Sequence, residues 1–189
     1  MKKQKICIIG GSLTGLVTAI SLSKLNCEID LITGNLVKNF ESSRTIAVSE
    51  NNFHFLNKLN ISKSLKKEIW TCSKMKLYTE VKSEKFSEIF ELNKEGKNEN
   101  IFYMLENSKI MKFMMEKVEK IKSISLIKNK TVSSIFNSGL LKGVKFKNNI
   151  SKYNLIIICS GHNSILIKNL FNDKIIENSY KEFAVTTIL

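Results

Sequence analysis

Residues 5–16 read Lys-Ile-Cys-Ile-Ile-Gly-Gly-Ser-Leu-Thr-Gly-Leu. The apolar run at 6–9 has the length and the β-branching of a buried parallel strand. Two glycines follow it, and a third opens a segment whose apolar residues recur at helical spacing up to residue 25. Strand, glycine turn and helix in this order are typical of a loop whose free N–H groups face a pyrophosphate. The stretch therefore predicts an α/β fold with a parallel central sheet and a dinucleotide site near the N-terminus.

The glycines of this loop have different expected roles. Gly10 takes the tight turn off the strand, and Gly15 lets the helix pack closely on the sheet. The middle position, where the backbone must approach the phosphate, is Ser12, which still offers an N–H and a hydroxyl group. A strand-to-helix turn without a ligand is the alternative, although a ligand is the usual reason for such glycines.

Residues 28–32 are expected to form the second parallel strand. In dinucleotide folds an acidic residue at the end of this strand binds the ribose hydroxyls. Thr33 occupies that place, and its hydroxyl can make one such bond where a carboxylate makes two stronger ones. Asp30 lies too early and on the wrong side of the strand to replace it.

Composition favours a small globular protein over a nucleic-acid-binding one. The 189 residues suffice for one good core and carry a formal charge of +13, yet Arg44 is the only arginine. The lysines are scattered and rarely alternate with aromatic residues, so we expect a solvated basic surface and no nucleic-acid partner. Such a surface can still favour peripheral contact with an anionic membrane.

The cysteines and the apolar runs indicate a cytoplasmic protein. Cys7, Cys27, Cys72 and Cys159 contain no C-x-x-C pair, and with two histidines they give no zinc-ligand spacing. They are expected to be reduced and mostly buried. The N-terminal apolar run is too short for a signal peptide, and no run is long enough to span a membrane.

The remainder of the chain continues the alternation of strands and helices. Expected are a helix capped by Ser49 with Phe53, Phe55, Leu56 and Leu59 inward, and a helix capped by Asn107 or Ser108 with core methionines. Strands are expected at 74–80, 85–92, 124–127, 152–158 and 180–188, with a hairpin over 131–146.

Four segments together resemble a known family, the N-terminal half of the FAD-dependent aromatic hydroxylases (class A flavin monooxygenases). They are Gly10-Gly11-Ser12-Leu13-Thr14-Gly15, Arg44-Thr45-Ile46-Ala47-Val48-Ser49, Tyr103-Met104-Leu105-Glu106-Asn107 and Ile157-Ile158-Cys159-Ser160-Gly161-His162-Asn163-Ser164. The arginine segment is most similar to the ubiquinone-biosynthesis branch. Because these enzymes are longer, the resemblance implies an incomplete domain over 1–189, with 70–105 and 178–189 as parts of a substrate-side sheet and the C-terminal half absent.

The resemblance implies a Rossmann-like FAD-binding fold of the glutathione-reductase type, with a β-hairpin or meander crossover and the start of a substrate-domain sheet. It implies that the loop from Gly10 to Gly15 holds the FAD pyrophosphate and that Thr33 stands at the ribose. Arg44 and Asn107 would lie near the flavin, Val132 near the adenine, and Gly161 in the second cofactor turn. In that turn the family's aspartate is Ser160, and its later arginine is replaced by Ile167 beside Lys168.

The reaction implied is hydroxylation of an aromatic, polyprenyl-phenol-like molecule, with NAD(P)H reducing the FAD. No catalytic side chain of this chain is needed to define it, because the cofactor carries the chemistry. Two other interpretations stay open. One is a degenerate, non-catalytic flavoprotein-like subunit that binds a complementary C-terminal chain or a membrane surface; the other is a nicotinamide-dependent Rossmann enzyme, which lacks a visible Tyr/Lys or His/Asp catalytic set.

Overall fold

The computed structural model describes residues 3–36, 44–61, 65, 67–81, 85–93, 100–147, 149–161, 164–171, 176 and 178. The strand predicted at 180–188, the segment 179–189 of the proposed substrate-side sheet, and His162 lie outside these residues. The helices are α1 (Leu13–Leu22), α2 (Glu50–Lys58), α3 (Asn107–Lys120) and α4 (Ile165–Phe171). The strands are β1 (Gln4–Ile9), β2 (Cys27–Ile32), β3 (Thr45–Ser49), β4 (Trp70–Cys72), β5 (Lys74–Val81), β6 (Lys85–Asn93), β7 (Phe102–Glu106), β8 (Ile124–Ile127), β9 (Val132–Ser138), β10 (Leu141–Phe146), β11 (Asn149–Tyr153) and β12 (Leu155–Ile158).

The centre of the molecule is a parallel four-stranded sheet in the order β12-β1-β2-β8. Helices α1 and α3 cover one face, as the helical spacing of their apolar residues predicts. Met111 and Met114 of α3 are each 1% exposed, so the prediction that they fill the core is confirmed. The fold is thus α/β with a parallel sheet, as the first strand and helix predict.

A three-stranded antiparallel sheet, β11-β10-β9, covers the other face. The hairpin predicted over 131–146 is confirmed by the pairing of β9 and β10. The single buried strand predicted at 152–158 is wrong, because it is divided at Asn154 into β11 and β12. Asn154 pairs with Lys5 through two bonds, accepting from the Lys5 N–H at its side-chain oxygen and donating its own N–H to the Lys5 carbonyl, both 2.8 Å. This change of direction lets one run of residues serve two sheets, and it leaves Leu155 48% exposed on the edge strand.

A second antiparallel sheet has the strand order β3-β7-β4. Strand β3 precedes α2 in the sequence, and β4 and β7 follow it. The predicted cap is present, since Ser49 Oγ accepts from the Asn52 N–H at 3.5 Å. Leu56 and Leu59 are buried as expected, whereas Phe55 is 44% exposed. The expectation that Phe55 points inward is wrong, because its side chain lines an open groove between α1, α2 and β3.

The predicted cap of α3 at Asn107 or Ser108 is wrong. The helix begins at Asn107, and the extended residue before it, Glu106, makes no side-chain cap hydrogen bond. Glu106 is still paired with Thr45 across β7 and β3, and the Asn107 N–H donates to the Arg44 carbonyl at 2.8 Å. Strand β7 therefore runs directly into α3, and the residue just before the neighbouring strand β3 accepts the hydrogen bond of the first helical amide.

Strands β5 and β6 form a separate antiparallel hairpin, which confirms the strands predicted at 74–80 and 85–92. Alternation places Met75, Leu77, Phe90 and Leu92 on one face and Lys74, Lys76 and Glu91 on the other. Within the described part of the chain, no helix is long and apolar enough to cross a membrane, and no group of three potential metal ligands is found.

Candidate functional site

The order of the parallel strands locates the first candidate site. Strands β2 and β8 lie on one side of β1 and β12 lies on the other, so the strand order reverses between β1 and β12. In open α/β sheets ligands bind at such a point, outside the carboxyl ends of the strands. Gly10 follows β1 and Cys159 follows β12, so the glycine loop and the 159–161 turn meet at this edge.

At two glycines of the loop, a side chain would collide with neighbouring backbone atoms. Gly10 has φ +120°, and a Cβ built on it lies 2.4 Å from the Cys159 carbonyl oxygen. A Cβ on Gly15 lies 1.8 Å from the Gly10 carbonyl oxygen. Gly10 therefore makes the turn off β1, and Gly15 brings α1 into direct contact with that turn, in the conformations expected from the sequence.

The amides that directly follow Gly10 are not used in the described hydrogen bonds. The Gly10 N–H donates to the Ile32 carbonyl at 2.9 Å, and the first helical bond runs from the Leu16 N–H to the Ser12 carbonyl at 3.0 Å. Among the described residues, no hydrogen bond uses the N–H groups of residues 11–15. These donors lie at the positive end of the α1 dipole, which is the environment that a phosphate prefers.

A groove of about 470 Å³ opens beside Gly10, between the parallel sheet and the start of β9. We call it the β9 groove. Its lining includes Gly10, Gly34, Lys130, Val132, Ser133 and Ser160. The structure therefore brings two predicted site residues, Gly10 and Val132, to one groove. Gly161, which has φ +78° and no neighbouring atom within 4 Å of a built Cβ, follows directly after the groove residue Ser160.

A second groove, of about 450 Å³, is lined by residues of α1, α2, β3 and α3, and we call it the β3 groove. Leu13 and Thr14 line it together with Ile46, Ala47 and Ile110. Arg44 directly precedes β3, is exposed, and is joined to Asn107 through the backbone bond described above. Arg44 and Asn107 are therefore neighbours, and they are not among the residues that line either groove.

Thr33 is buried and lines neither the β9 groove nor the β3 groove. Its side chain is 1% exposed, and a Cβ on Gly11 lies 2.5 Å from Thr33 Cγ2, so the two residues pack against each other. The role of Thr33 at a ribose stays a prediction. Asp30, expected on the wrong side of β2, is engaged elsewhere: it accepts from the Tyr153 hydroxyl at 2.8 Å and pairs with Lys5 at 3.0 Å.

The sequence motifs did not predict several residues that line the β9 groove, among them Gly34, Lys130 and Ser133. Lys130 lies in the link between β8 and β9, and Ser133 lies near the start of β9. The Lys130 N–H donates to the Thr33 carbonyl at 3.0 Å. The available signal was the expected strand at 124–127. The carboxyl end of a parallel strand lies at the same edge as the glycine loop, so the residues after it are candidates for the site.

Cys159 lies where the two turns meet. Its N–H donates to the Ile9 carbonyl at 2.7 Å, which extends the pairing of β12 with β1. Burial is the main cause that raises the pKa of its thiol. The thiol therefore remains protonated at neutral pH and is a packing group in this structure, not an activated nucleophile.

Comparison with known proteins identifies the class of fold. No protein-family model and no curated protein sequence matches this chain. Among solved structures, PqsL, a probable FAD-dependent monooxygenase from Pseudomonas aeruginosa, has a TM-score of 0.76 at 9% identity, covering 95% of this chain and 48% of PqsL. The Diels-Alderase PyrE3 of pyrroindomycin biosynthesis has a TM-score of 0.72 at 13% identity, covering 90% and 35%. CtdE in complex with FAD has a TM-score of 0.66 at 12% identity, covering 89% and 41%.

These identities are low, so the likeness shows the fold alone. The chain is an α/β protein with a parallel sheet that has the fold found in FAD-dependent monooxygenases and in an FAD complex. It spans about 35–48% of the length of the three structures. Because a Diels-Alderase has the same fold, the reaction has to be argued from the site.

Proposed function

We propose that this chain is the FAD-binding part of an NAD(P)H-dependent flavin monooxygenase that hydroxylates an aromatic ring. The proposal includes an FAD-binding fold of the glutathione-reductase type. It also includes membership of the ubiquinone-biosynthesis branch, whose substrate would be a polyprenyl-phenol-like intermediate. The observation that carries the proposal is the row of backbone N–H groups at 11–15, which is not used by the described residues and lies where the strand order reverses.

The residues around the loop fit the parts of an extended dinucleotide. The amides of 11–15 would hold the diphosphate, and the β9 groove with Val132 would take the adenosine. The β3 groove would take the flavin, because it starts at Leu13 and Thr14 of the same loop. Arg44 directly precedes β3 and Asn107 begins α3, and both of these elements line the groove. When bound, the flavin supplies the redox chemistry and the activation of oxygen, while this chain binds and orients it.

Titration with FAD, followed by quenching of flavin fluorescence and by isothermal calorimetry, tests the site. The informative variant is Ser12→Asp. Aspartate is a good N-cap residue, so α1 keeps its stability, but the added charge repels a diphosphate held at the helix N-terminus. We expect FAD binding by the wild type and a loss of at least tenfold in affinity in this variant.

Ser12→Asn is the matched control, since asparagine caps as well as aspartate and carries no charge. FAD affinity within about threefold of the wild type is expected for it, which is well under 1 kcal/mol. Equal FAD affinities of the Asp and Asn variants would show that the loop does not bind the diphosphate of FAD. No FAD binding by the folded wild-type protein would reject the proposed cofactor for this chain.

The redox partner and the substrate are tested on FAD-loaded protein. Bleaching of the flavin absorbance by NADPH or NADH under anaerobic conditions would support the reductant. Quinol-type and phenol-type ring compounds with a prenyl tail are then compared as substrates by oxygen consumption. A peripheral membrane contact, proposed from the formal charge of +13, predicts salt-sensitive co-sedimentation with anionic vesicles and none with neutral ones.

The second candidate function is a non-catalytic flavoprotein-like subunit that binds a complementary chain. The apolar face of the β5–β6 hairpin favours it, because Leu77 is 55% and Phe90 44% exposed there. FAD binding without reduction by either nicotinamide nucleotide, together with a stable complex with a chain that carries the missing part of the fold, would support this candidate over the enzyme.

A further inference from the structure

The antiparallel sheet β11-β10-β9 has an outer face that no other described element covers. Its inner face packs on the parallel sheet through Val144 and Tyr153, which are both 0% exposed. Side chains directly opposite each other in paired strands lie on the same face. The strand register therefore gives the outer face one row of Phe136, Gly143 and Lys152 and a second row of Ser134, Lys145 and Ile150. We call this surface the lysine face.

The lysine face carries charge of one sign. Residues 121–172, which include the whole of this sheet, contain eight lysines and no aspartate or glutamate. Lys145 and Lys152 are exposed, and no described carboxylate forms an ion pair with either of them. In the β5–β6 hairpin, by contrast, Lys74 and Lys76 are paired with glutamates. The positive charge on this sheet is therefore not balanced by neighbouring side chains.

Apolar side chains are exposed beside these lysines. Ile150 is 57% and Phe136 39% exposed on the lysine face, and Leu140, in the turn between β9 and β10, is 102% exposed. The Phe136 ring covers Gly143, since a Cβ built on this glycine lies 2.4–2.9 Å from three atoms of the ring. The open face of an antiparallel sheet is normally polar. Exposed apolar residues among unbalanced lysines fit a partner that is both negatively charged and apolar.

From this arrangement we propose that the lysine face is the surface through which the chain binds an anionic lipid bilayer. Each lysine brought close to such a bilayer adds about fivefold to the affinity. Ile150 and Leu140 add the burial of their apolar surface at the level of the headgroups. The inference rests on the proposed function in that a peripheral membrane contact is part of it, and it assigns that contact to named residues. The contact would place the chain at the layer that holds a prenyl-tailed substrate.

A nucleic acid is the other polyanion to which lysines bind. Sites for single strands combine the positive charge with several aromatic side chains on which successive bases stack. The lysine face has one aromatic side chain, Phe136, and no arginine, whereas its most exposed apolar residue, Ile150, is aliphatic. An aliphatic side chain is stabilised by burial in lipid and offers no stacking surface to a base. The composition of the face therefore favours a bilayer.

Flotation with lipid vesicles tests the assignment on the full chain. The wild type should bind phosphatidylcholine vesicles that contain about 30% phosphatidylglycerol, should not bind phosphatidylcholine alone, and should be released by added salt. The double variant Lys145→Gln/Lys152→Gln should bind the anionic vesicles at least tenfold more weakly. Ile150→Ser should weaken binding by about threefold, because the side chain is only partly buried by the lipid.

The matched control is the double variant Lys112→Gln/Lys120→Gln. It removes the same net charge from the exposed side of α3, which packs on the opposite face of the parallel sheet. Its affinity for the anionic vesicles should stay within about threefold of the wild type. Both double variants replace exposed side chains, so their circular dichroism spectra should match that of the wild type. Equal losses in the two double variants would overturn the lysine face and attribute the contact to net charge.

Two further outcomes separate this inference from the proposed flavin site. No binding of the wild type to anionic vesicles would overturn the lysine face and the peripheral contact together, while the FAD titration decides the cofactor independently. Binding of a single-stranded oligonucleotide in place of vesicles, lost when Lys145 and Lys152 are replaced, would overturn the bilayer as the partner of this face.

Discussion

The parallel sheet and the β5–β6 hairpin are both rich in apolar residues, yet they differ in what covers them. Ile8, in the central strand β1, is 0% exposed and packs in the core formed with helices α1 and α3. Ile89, in β6, is 60% exposed, and its hairpin pairs with no other described strand. The same side chain thus has a full set of neighbours in one region and few in the other.

This difference separates two uses of apolar residues. In the sheet they stabilise the fold, and the packing that they provide fixes the glycine loop at the end of β1. In the hairpin they form a surface, Met75, Leu77, Phe90 and Leu92, opposite a face of lysine–glutamate pairs. A two-stranded ribbon is at best marginally stable alone, so the hairpin contributes little to the stability of the rest.

The largest expected effect on stability comes from shortening an isoleucine of the parallel sheet to alanine, and the same substitution in the hairpin is the comparison. Ile8→Ala leaves a cavity in a close-packed core and should lower the free energy of unfolding by about 2–5 kcal/mol. Ile89→Ala removes the same atoms from a solvent-exposed side chain and should change it by less than about 0.5 kcal/mol. Urea denaturation followed by circular dichroism measures both. Similar losses in the two variants would show that the hairpin is covered in solution.

The next effect concerns glycines. Gly15→Ala places a Cβ against the Gly10 carbonyl, which cannot move without moving the loop. The substitution should lower the free energy of unfolding by about 1–3 kcal/mol and weaken FAD binding. Gly34→Ala is the control for stability, because a Cβ there meets no atom within 4 Å. It should be neutral or stabilise slightly by restricting the unfolded chain. A neutral Gly15→Ala would mean that α1 does not pack on the loop as described.

Much of the fold follows from the sequence because its signals are local. The apolar run before Gly10, the spacing of apolar residues in α1 and α3, and the Ser49 cap each depend on near neighbours, and all three are found. The helix and strand boundaries that were predicted wrongly depend on partners that are distant in the sequence. The α3 cap was misplaced because the Asn107 amide bonds to Arg44, 63 residues earlier in the sequence. Strand 152–158 was not divided because the bonds of Asn154 go to Lys5.

The candidate site divides in the same way. The turn at Gly10 and the close contact at Gly15 are properties of one short stretch and could be read from it. Lys130 and Ser133 reach the groove only because β8 lies beside β2 in the sheet, and no local pattern encodes that neighbour relation. The burial of Thr33 has the same origin, since it results from contact with Gly11 across the sheet.

Alkaline pH should lower the stability of the parallel sheet. Burial is the main cause that raises the pKa of the Cys7 thiol to about 12, with the charge of Asp30 adding to it, while Tyr153 and Lys5 act in the opposite direction. A thiol in the unfolded chain deprotonates near its ordinary value of 9.0, so the stability from this group is complete below pH 9 and is lost between 9 and 12. One proton corresponds to about 1.4 kcal/mol per pH unit.

Cys7→Ala should make the decline in unfolding free energy above pH 9 shallower, because the titrating thiol is gone. It should not abolish the decline, since burial and the bond to Asp30 also raise the pKa of Tyr153. Cys27→Ala, which removes another buried thiol from the same sheet, is the comparison variant. Parallel pH profiles for the wild type and Cys7→Ala would contradict the buried, protonated thiol.

The smallest effect on stability is expected in the hairpin. Removal of a lysine charge there should change the pKa of a neighbouring carboxyl group and leave the free energy of unfolding unchanged. Glu91 has its pKa lowered to about 2, chiefly by its hydrogen bond with Lys74 and then by that with Lys76. Lys74→Gln should therefore raise the Glu91 pKa more than Lys76→Gln does, as followed by the carboxyl resonance in an NMR titration. Neither variant should move the urea midpoint, because these pairs are exposed and the sheet does not depend on them. A fall in the midpoint in either variant would show that the hairpin and the parallel sheet unfold together.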